Sequence, residues 1–316
     1  LKKLKNQFKT YLLTKKLKKN NILFNLNDFK FSDKNVLIID EIIPEFNKDS
    51  GSRRLTEIIK LLLKNKVSVF LVADLKQYKY KSEYIQKFKD LGVNVYQPSI
   101  DQKGQLVTKE DFIKLITPKT DVAWLHRPTI FSKFQSLVKT ANPNVKLVFD
   151  MVDFHYVRLL REYELNKDEA LKAEAEKFLK IELENCKNAD VVIAISTTDK
   201  ELLKQHFNTD EKVVLISNIH QHIDKSDNFN SFENRNDLLF VGSFRHDPNS
   251  DAVKYLKEDI MPLVWKDIPD LKVNIIGSYI TEDIEALASD KFKLLGFVDD
   301  LNAVINTTKL FVAPLR

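Results

Sequence analysis

Short runs rich in Val and Ile recur along this chain, each followed by a longer stretch with helical periodicity. That alternation leaves few folds open. Parallel strands need long crossovers, usually helices, and a strand covered on both faces reads as a nearly continuous apolar run. Strands are expected at 36–39, 67–72, 94–97, 122–125, 146–149, 191–195 and 213–216, with amphipathic helices at 54–64, 82–91, 109–116 and 167–187. A Thr198-x-x-Glu201 capping box points to a further helix start just after the sixth strand. Seven strands in about 200 residues describe one doubly wound domain.

From His220 to Asp237 the chain turns polar, rich in Asn, Asp and Ser, and reads as a linker over 220–236. A second α/β series follows over 237–316, with strands at 238–241, 272–276, 292–295 and 310–313 and helices at 250–258 and 301–307. The domains are thus read as 21–219 and 237–316, the second incomplete. Because the chain opens on Leu1 and ends after four strands of this series, the expectation is a piece of a longer polypeptide.

Charge is distributed unevenly. Residues 1–20 hold eight lysines and no acid, whereas from residue 21 onward 42 basic residues face 45 acidic ones. Leu1, Leu4, Phe8, Tyr11, Leu12 and Leu17 roughly follow helical spacing, which predicts a basic amphipathic leader helix over 1–20. Such a helix either lies on an anionic membrane surface or packs on its own domain. No basic, aromatic-interleaved patch continues past residue 20, so nucleic acid is not an expected partner. Cys186 is the single cysteine, which excludes an intrachain disulfide and suits a reducing, cytoplasmic setting. Six scattered histidines have no zinc-site spacing, and no metal is expected.

In open α/β sheets ligands sit beyond the carboxyl ends of the strands, and here those ends collect polar groups. Asp49-Ser-Gly-Ser-Arg-Arg54 offers a glycine and two guanidinium groups beside a helix start; Trp124-Leu-His-Arg-Pro128 closes another strand. Phe149-Asp-Met-Val-Asp-Phe-His-Tyr-Val-Arg158 brings Asp150, Asp153, His155 and Arg158 within nine residues. A carboxylate, an imidazole and a guanidinium together orient sugar hydroxyls and counter a developing charge. The alternative is local: Asp153 caps the next helix and Arg158 pairs with Glu162. In the second series, Val241-Gly-Ser-Phe-Arg-His246 leads into Pro248-Asn249, a strand, glycine and helix start suited to a phosphate. Gly277 and Gly296 end the next two strands. Neither a Walker A sequence nor Gly-x-Gly-x-x-Gly occurs, which counts against P-loop NTPases and dehydrogenases.

The ordered set Leu239-Phe-Val-Gly-Ser-Phe, Pro248-Asn249, Asn274-Ile-Ile-Gly277, Leu295-Gly-Phe-Val-Asp-Asp-Leu301 and Phe311-Val-Ala-Pro-Leu-Arg316 resembles the C-terminal domain of retaining GT-B glycosyltransferases of family 4. Asp40-x3-Pro44, Gly51-Ser-Arg-Arg54 and Asp150-x2-Asp153-x-His155-x2-Arg158 resemble a branch of its N-terminal domain. The resemblance implies α/β architecture with two Rossmann-like domains facing a cleft. It also implies transfer of a sugar from a UDP- or GDP-linked donor to a glycan, lipid-linked or protein-linked acceptor, without metal or resident cofactor. His155 best matches the family's active-site histidine, and His126 is the runner-up. The implied catalytic set is His155, Asp153 and Arg158. Gly51, Ser52, Arg53, Gly242, Ser243 and Arg245 would hold the diphosphate, and Gly277, Gly296, Phe297 and Val298 the base. His126 and Arg127 would face the acceptor. Two features depart from the family: no Lys follows Arg245 within its loop, Lys254 lying on the next helix, and the Glu-x7-Glu pair belongs beyond Arg316. Two alternatives stay open, a non-catalytic glycosyltransferase-like binding module and a GT-B sugar-nucleotide epimerase.

Overall fold

The computed structural model describes residues 2–76, 80–207, 210–219 and 229–315. They fall into two compact units, Leu1–His220 and Gln221–Arg316. Residues 220–228 of the expected linker, with His220 and His222, lie outside the described residues.

The first unit opens with helix α1 (Lys2–Lys19), then alternates strands and helices: β1 (Asn35–Asp40), α2 (Ser50–Lys64), β2 (Ser68–Ala73), α3 (Ser82–Asp90) and β3 (Asn94–Val95). A hairpin of β4 (Ser99–Ile100) and β5 (Leu106–Val107) precedes α4 (Lys109–Ile116), β6 (Val122–His126), α5 (Pro128–Ala141) and β7 (Lys146–Asp150). Helices α6 (His155–Asn166) and α7 (Glu169–Asn188) follow, then β8 (Val191–Ala194), α8 (Thr197–Lys204) and β9 (Val213–Leu215). Seven strands form one sheet in the order β3-β2-β1-β6-β7-β8-β9, and every pairing is parallel. The chain therefore winds outward from β1 to one side and resumes at β6 on the other. This switch point, where the crossovers diverge, leaves the ends of β1 and β6 open side by side.

All six residues of β1 are buried, since helices cover both faces of the sheet. Leu37, Ile39, Phe70, Val72, Phe112 and Phe131 pack on one face. Val36, Ile38, Leu55, Ile59, Leu71 and Phe88 pack on the other.

Several boundaries move from the sequence reading. Helix α2 begins at Ser50, four residues before the expected 54, because the Asp49 side chain accepts from Ser52 N–H and caps it there. The cap of α8 is Ser196, whose hydroxyl exchanges hydrogen bonds with Asp199, rather than Thr198. The hairpin and helix α5 carry no signal that the periodicity resolved, and α6 enters the sequence reading only as the helix that Asp153 would cap. Helix α1 splits its apolar residues: Leu17 is buried while Phe8, Tyr11 and Leu12 are exposed, so they do not make one stripe.

The second unit holds β10 (Asn236–Val241), α9 (Asp247–Tyr255), a π-helical turn Leu256–Ile260, α10 (Met261–Asp267), β11 (Val273–Ile276), α11 (Glu282–Glu285), β12 (Phe292–Gly296), α12 (Leu301–Thr307) and β13 (Thr308–Phe311). Its parallel sheet has the order β12-β11-β10-β13 over a core of Phe240, Phe244, Val253, Leu256, Ile275 and Phe292. Pro248 sits in the first turn of α9, where its missing N–H is harmless.

Two glycines let this sheet close at its carboxyl end. A β-carbon at Gly277 would stand 2.0 Å from the Gly242 carbonyl oxygen and 2.6 Å from the Phe244 ring. One at Gly242 would meet Asn249 at 2.8 Å. Backbone cannot yield as a side-chain tip can, so Gly277→Ala is expected to destabilise by roughly 3 kcal/mol. Gly51→Ala, where the nearest atom would be 3.5 Å away, changes stability by less than about 1 kcal/mol. Urea melts of the two variants check the contrast; equal midpoints would contradict it.

Candidate functional site

At the switch point of the first unit the ends of β1, β6 and β7 present Asp40, His126 and Asp150, all fully buried. Three ionisable groups in the interior demand compensation. Arg54, 1% exposed, reaches from α2 and donates from Nη1 to both Asp150 oxygens, at 3.1 and 2.8 Å, and from Nε to the Ile216 carbonyl at 3.1 Å. Trp124 Nε1 donates to Asp150 at 2.9 Å. On the other side Asp40 Oδ1 accepts from Arg127 Nε at 3.0 Å and from the Glu41 N–H at 2.7 Å. His126 lies between the two acids, Nδ1 at 3.0 Å from Asp40 and Nε2 at 3.9 Å from Asp150. Neither ring nitrogen meets strict hydrogen-bond alignment, although Nδ1 stands at hydrogen-bonding distance from Asp40. Burial alone would raise the Asp40 carboxyl; His126 and Arg127 outweigh it and hold the group below the usual carboxylate range.

This network corrects one expected role and redistributes another. His126 is sealed from solvent and cannot touch an acceptor. Of the two adjacent arginines, the buried Arg54 is a structural ion-pair partner, while Arg53 is exposed. Ser52 is buried and its hydroxyl donates to Asp49 at 2.8 Å, which ties it to the helix cap.

Arg127 keeps partial exposure and an unusual backbone, with φ 89° and ψ 151°. That region belongs almost wholly to glycine, and Arg127 is held there between its N–H bond to the Asp150 carbonyl and Pro128. Val152, a β-branched residue at φ 68°, is strained as well. Both lie against Gly51: a β-carbon there would sit 3.6 Å from Val152 Cγ1 and 3.9 Å from Arg127 Nη2. The helix start at Gly51, the Arg127 guanidinium and the strained loop thus converge on one spot.

The 153–158 segment forms a second, more exposed cluster. His155 Nδ1 stands 2.8 Å from Asp153 Oδ1, and Arg158 Nε donates to Asp153 Oδ2 at 2.8 Å. Asp153 therefore grips both predicted partners, and the expected local roles do not apply. The α6 N-cap is Phe154, which supplies no side-chain cap, and Arg158 turns to Asp153 rather than Glu162. Burial would raise Asp153, but His155 and Arg158 hold it low. Sequence reasoning missed Glu182 on α7, fully buried, which accepts from the backbone N–H groups of His155 at 2.9 Å and Tyr156 at 3.1 Å. An isolated acid in a long charged helix carries no sequence signal; only the packing of α7 on α6 reveals it.

In the second unit the glycines serve the strands. Gly242 N–H donates to the Ile276 carbonyl and Gly277 N–H to Gly296, each at 3.0 Å, so neither amide points at a phosphate or base. Ser243 receives Asn249 Nδ2 on its carbonyl at 2.9 Å, which fixes the loop. Arg245 lays its guanidinium 3.5 Å over the Tyr279 ring, a contact that pre-orients it. Lys254 is paired with Asp283 at 2.6 Å on the surface. Gly296 has φ 69°, Phe297 is exposed and Val298 half-buried.

Residues 235–316 match the family model described as glycosyl transferases group 1. No curated protein matches the chain. Among solved structures it resembles TarM, at 12% identity over 90% of this chain and 80% of that one, with a TM-score of 0.65. It also resembles Anabaena HepE solved with UDP and glucose, at 14% identity over 88% and 73%, TM-score 0.57. The apo lipopolysaccharide outer core galactosyltransferase WaaB gives 11% identity over 88% and 73%, TM-score 0.51. The fold is that of GT-B glycosyltransferases.

Removing Arg54 would leave the buried Asp150 carboxylate without its guanidinium, with only the Trp124 and Val152 N–H groups donating to it and His126 nearby. Arg54→Met is therefore expected to destabilise by about 3–5 kcal/mol, whereas the neighbouring Arg53→Ala stays within about 0.5 kcal/mol. Chemical denaturation distinguishes the pair, and a mild Arg54→Met would remove the structural role given to this network.

Proposed function

We propose, from the glycosyl transferases group 1 domain that the chain carries over residues 235–316, that this protein is a retaining glycosyltransferase. It transfers a sugar from a nucleotide-diphosphate donor to a glycan, lipid-linked or protein-linked acceptor, with no resident cofactor or metal. The observation that carries the reading is the Asp153–His155–Arg158 cluster at the carboxyl end of the first sheet, charged and partly open to solvent.

In such a transfer the bond from the anomeric carbon to the donor phosphate breaks and a bond to an acceptor hydroxyl forms. The acceptor proton ends on the departing diphosphate. Charge grows on that leaving group, so fixed cationic and dipolar groups are what the reaction requires. Arg245, held by Tyr279, supplies a cation in the second unit, next to Ser243. Gly51, at the start of α2, and Arg127 supply a helix N-terminus and a second guanidinium in the first. His155 meets the reacting sugar through Nε2, the ring nitrogen opposite its two carboxylate neighbours, and Arg158 keeps Asp153 in place. Phe297 and Val298 offer an apolar wall for the base. UDP is the first nucleotide to try, since the similar HepE was solved with it.

Among the described residues no helix is long and apolar enough to cross a membrane. Peripheral contact of the basic residues 1–20 with an anionic cytoplasmic membrane surface belongs to the same proposal.

Calorimetry with UDP, GDP and their sugar conjugates, followed by nucleotide release with acceptors, tests the reading. His155→Ala is expected to lower transfer about 100-fold while nucleotide affinity stays within threefold. Near-normal transfer would remove His155 from the mechanism. Conversion of the donor sugar without an acceptor would instead mark an epimerase. Binding of glycans with no nucleotide affinity would mark a binding module.

A further inference from the structure

His155 is gripped from behind by a single element, α7, through three separate handles. Glu182 accepts from the N–H groups of His155 and Tyr156, the first two residues of α6, at 2.9 and 3.1 Å. The same carboxylate comes to 3.6 Å from His155 Nδ1. One turn earlier Phe178 stacks on the imidazole, with centroids 5.2 Å apart and planes at 20°. Since Phe154 gives α6 no side-chain cap, the cap is supplied in trans by a carboxylate matched to the positive end of that helix.

We propose that Glu182 is a positioning residue for His155: it fixes the imidazole and keeps Nδ1 turned toward the carboxylates, so that Nε2 is the nitrogen presented to the sugar. The inference rests on the reading of His155 given above. A neutral amide at position 182 would cap one N–H of α6, but it would not hold a ring N–H by charge. The charged and titratable groups that face Glu182 are His155 and Asp153 at the head of α6 and the Cys186 thiol one turn along α7. Burial pushes Glu182 up to about 7, against the pull of His155 and the two amides, while Asp153 stays low. Between the two acids facing Nδ1, Glu182 is therefore the one whose charge changes near neutral pH. Its deprotonation favours the imidazolium, and as pH falls below about 7 that hold on the ring weakens.

The test uses Glu182→Gln and Glu182→Asp in the full chain. NMR titration of the His155 ring needs no donor: Glu182→Gln is expected to move it toward the neutral imidazole, because the carboxylate that favours the imidazolium is gone. In transfer assays Glu182→Gln should lower kcat about tenfold with KM for the donor little changed, and should erase the part of the pH profile centred near 7. Glu182→Asp, which keeps the charge, should retain that part of the profile and recover part of kcat. A folded Glu182→Gln protein with a wild-type His155 titration and pH profile would overturn the inference, leaving Glu182 a helix cap only. If Glu182→Gln does not fold, the wild-type ring decides: His155 resonances that show no inflection near pH 7 from the neighbouring carboxylate overturn it. Should the wild type transfer no sugar, the functional reading fails while the His155 titration still decides this one.

Discussion

The bond between Arg54 and Asp150 is the interaction on which the first unit depends. It joins the first turn of α2 to the end of β7, and through Arg54 Nε to the chain after β9. Asp150 also receives Trp124 from β6, so one carboxylate ties four segments together at the switch point. Desolvating these charges costs several kcal/mol per ion, and the geometry offsets it by pairing nearly every oxygen. What the arrangement yields is fixed strand ends. Arg127 and Val152, both in backbone conformations that ordinary residues avoid, persist because Asp40, Asp150 and Pro128 over-determine them.

That rigid platform gives the more exposed cluster its place. Asp153 follows directly on the strained Val152, and α6 starts two residues later with His155. The helix has no cap of its own and borrows Glu182. The polar chemistry therefore comes in two layers, a sealed one that sets the backbone and a half-open one that faces solvent. The second unit follows a simpler plan: its glycines close the strand ends, and the cation Arg245 stands over Tyr279 beside them.

Much of the fold was legible, because binary patterning dominates in buried parallel sheets. All seven strands of the first sheet and all four of the second fell where the apolar runs lay, and α4 and α12 matched to the residue. Helix α6 entered the sequence reading only as the helix that Asp153 would cap, because it starts inside a polar motif whose bounds no apolar period marks. The hairpin of β4 and β5 escaped because two-residue strands have no period. At the site, the grouping of Asp153, His155 and Arg158 was visible as a density of charge, whereas which group bonded which was not.

The sequence by itself determined the class of fold, the places where strands end, and the concentration of acids, histidines and arginines at those ends. These follow from local periodicity and turn chemistry, which depend only on near neighbours. Tertiary structure decided which of two adjacent arginines is buried and that His126 is sealed while His155 is reachable. It also decided that Gly242 makes room for the Asn249 and Phe240 side chains and Gly277 for the Gly242 carbonyl, and that Glu182 belongs to His155. Most of these turn on a partner far along the chain, as Arg54 on Asp150 or His155 on Glu182. Burial and pairing arise only when those segments pack, so no local pattern records them.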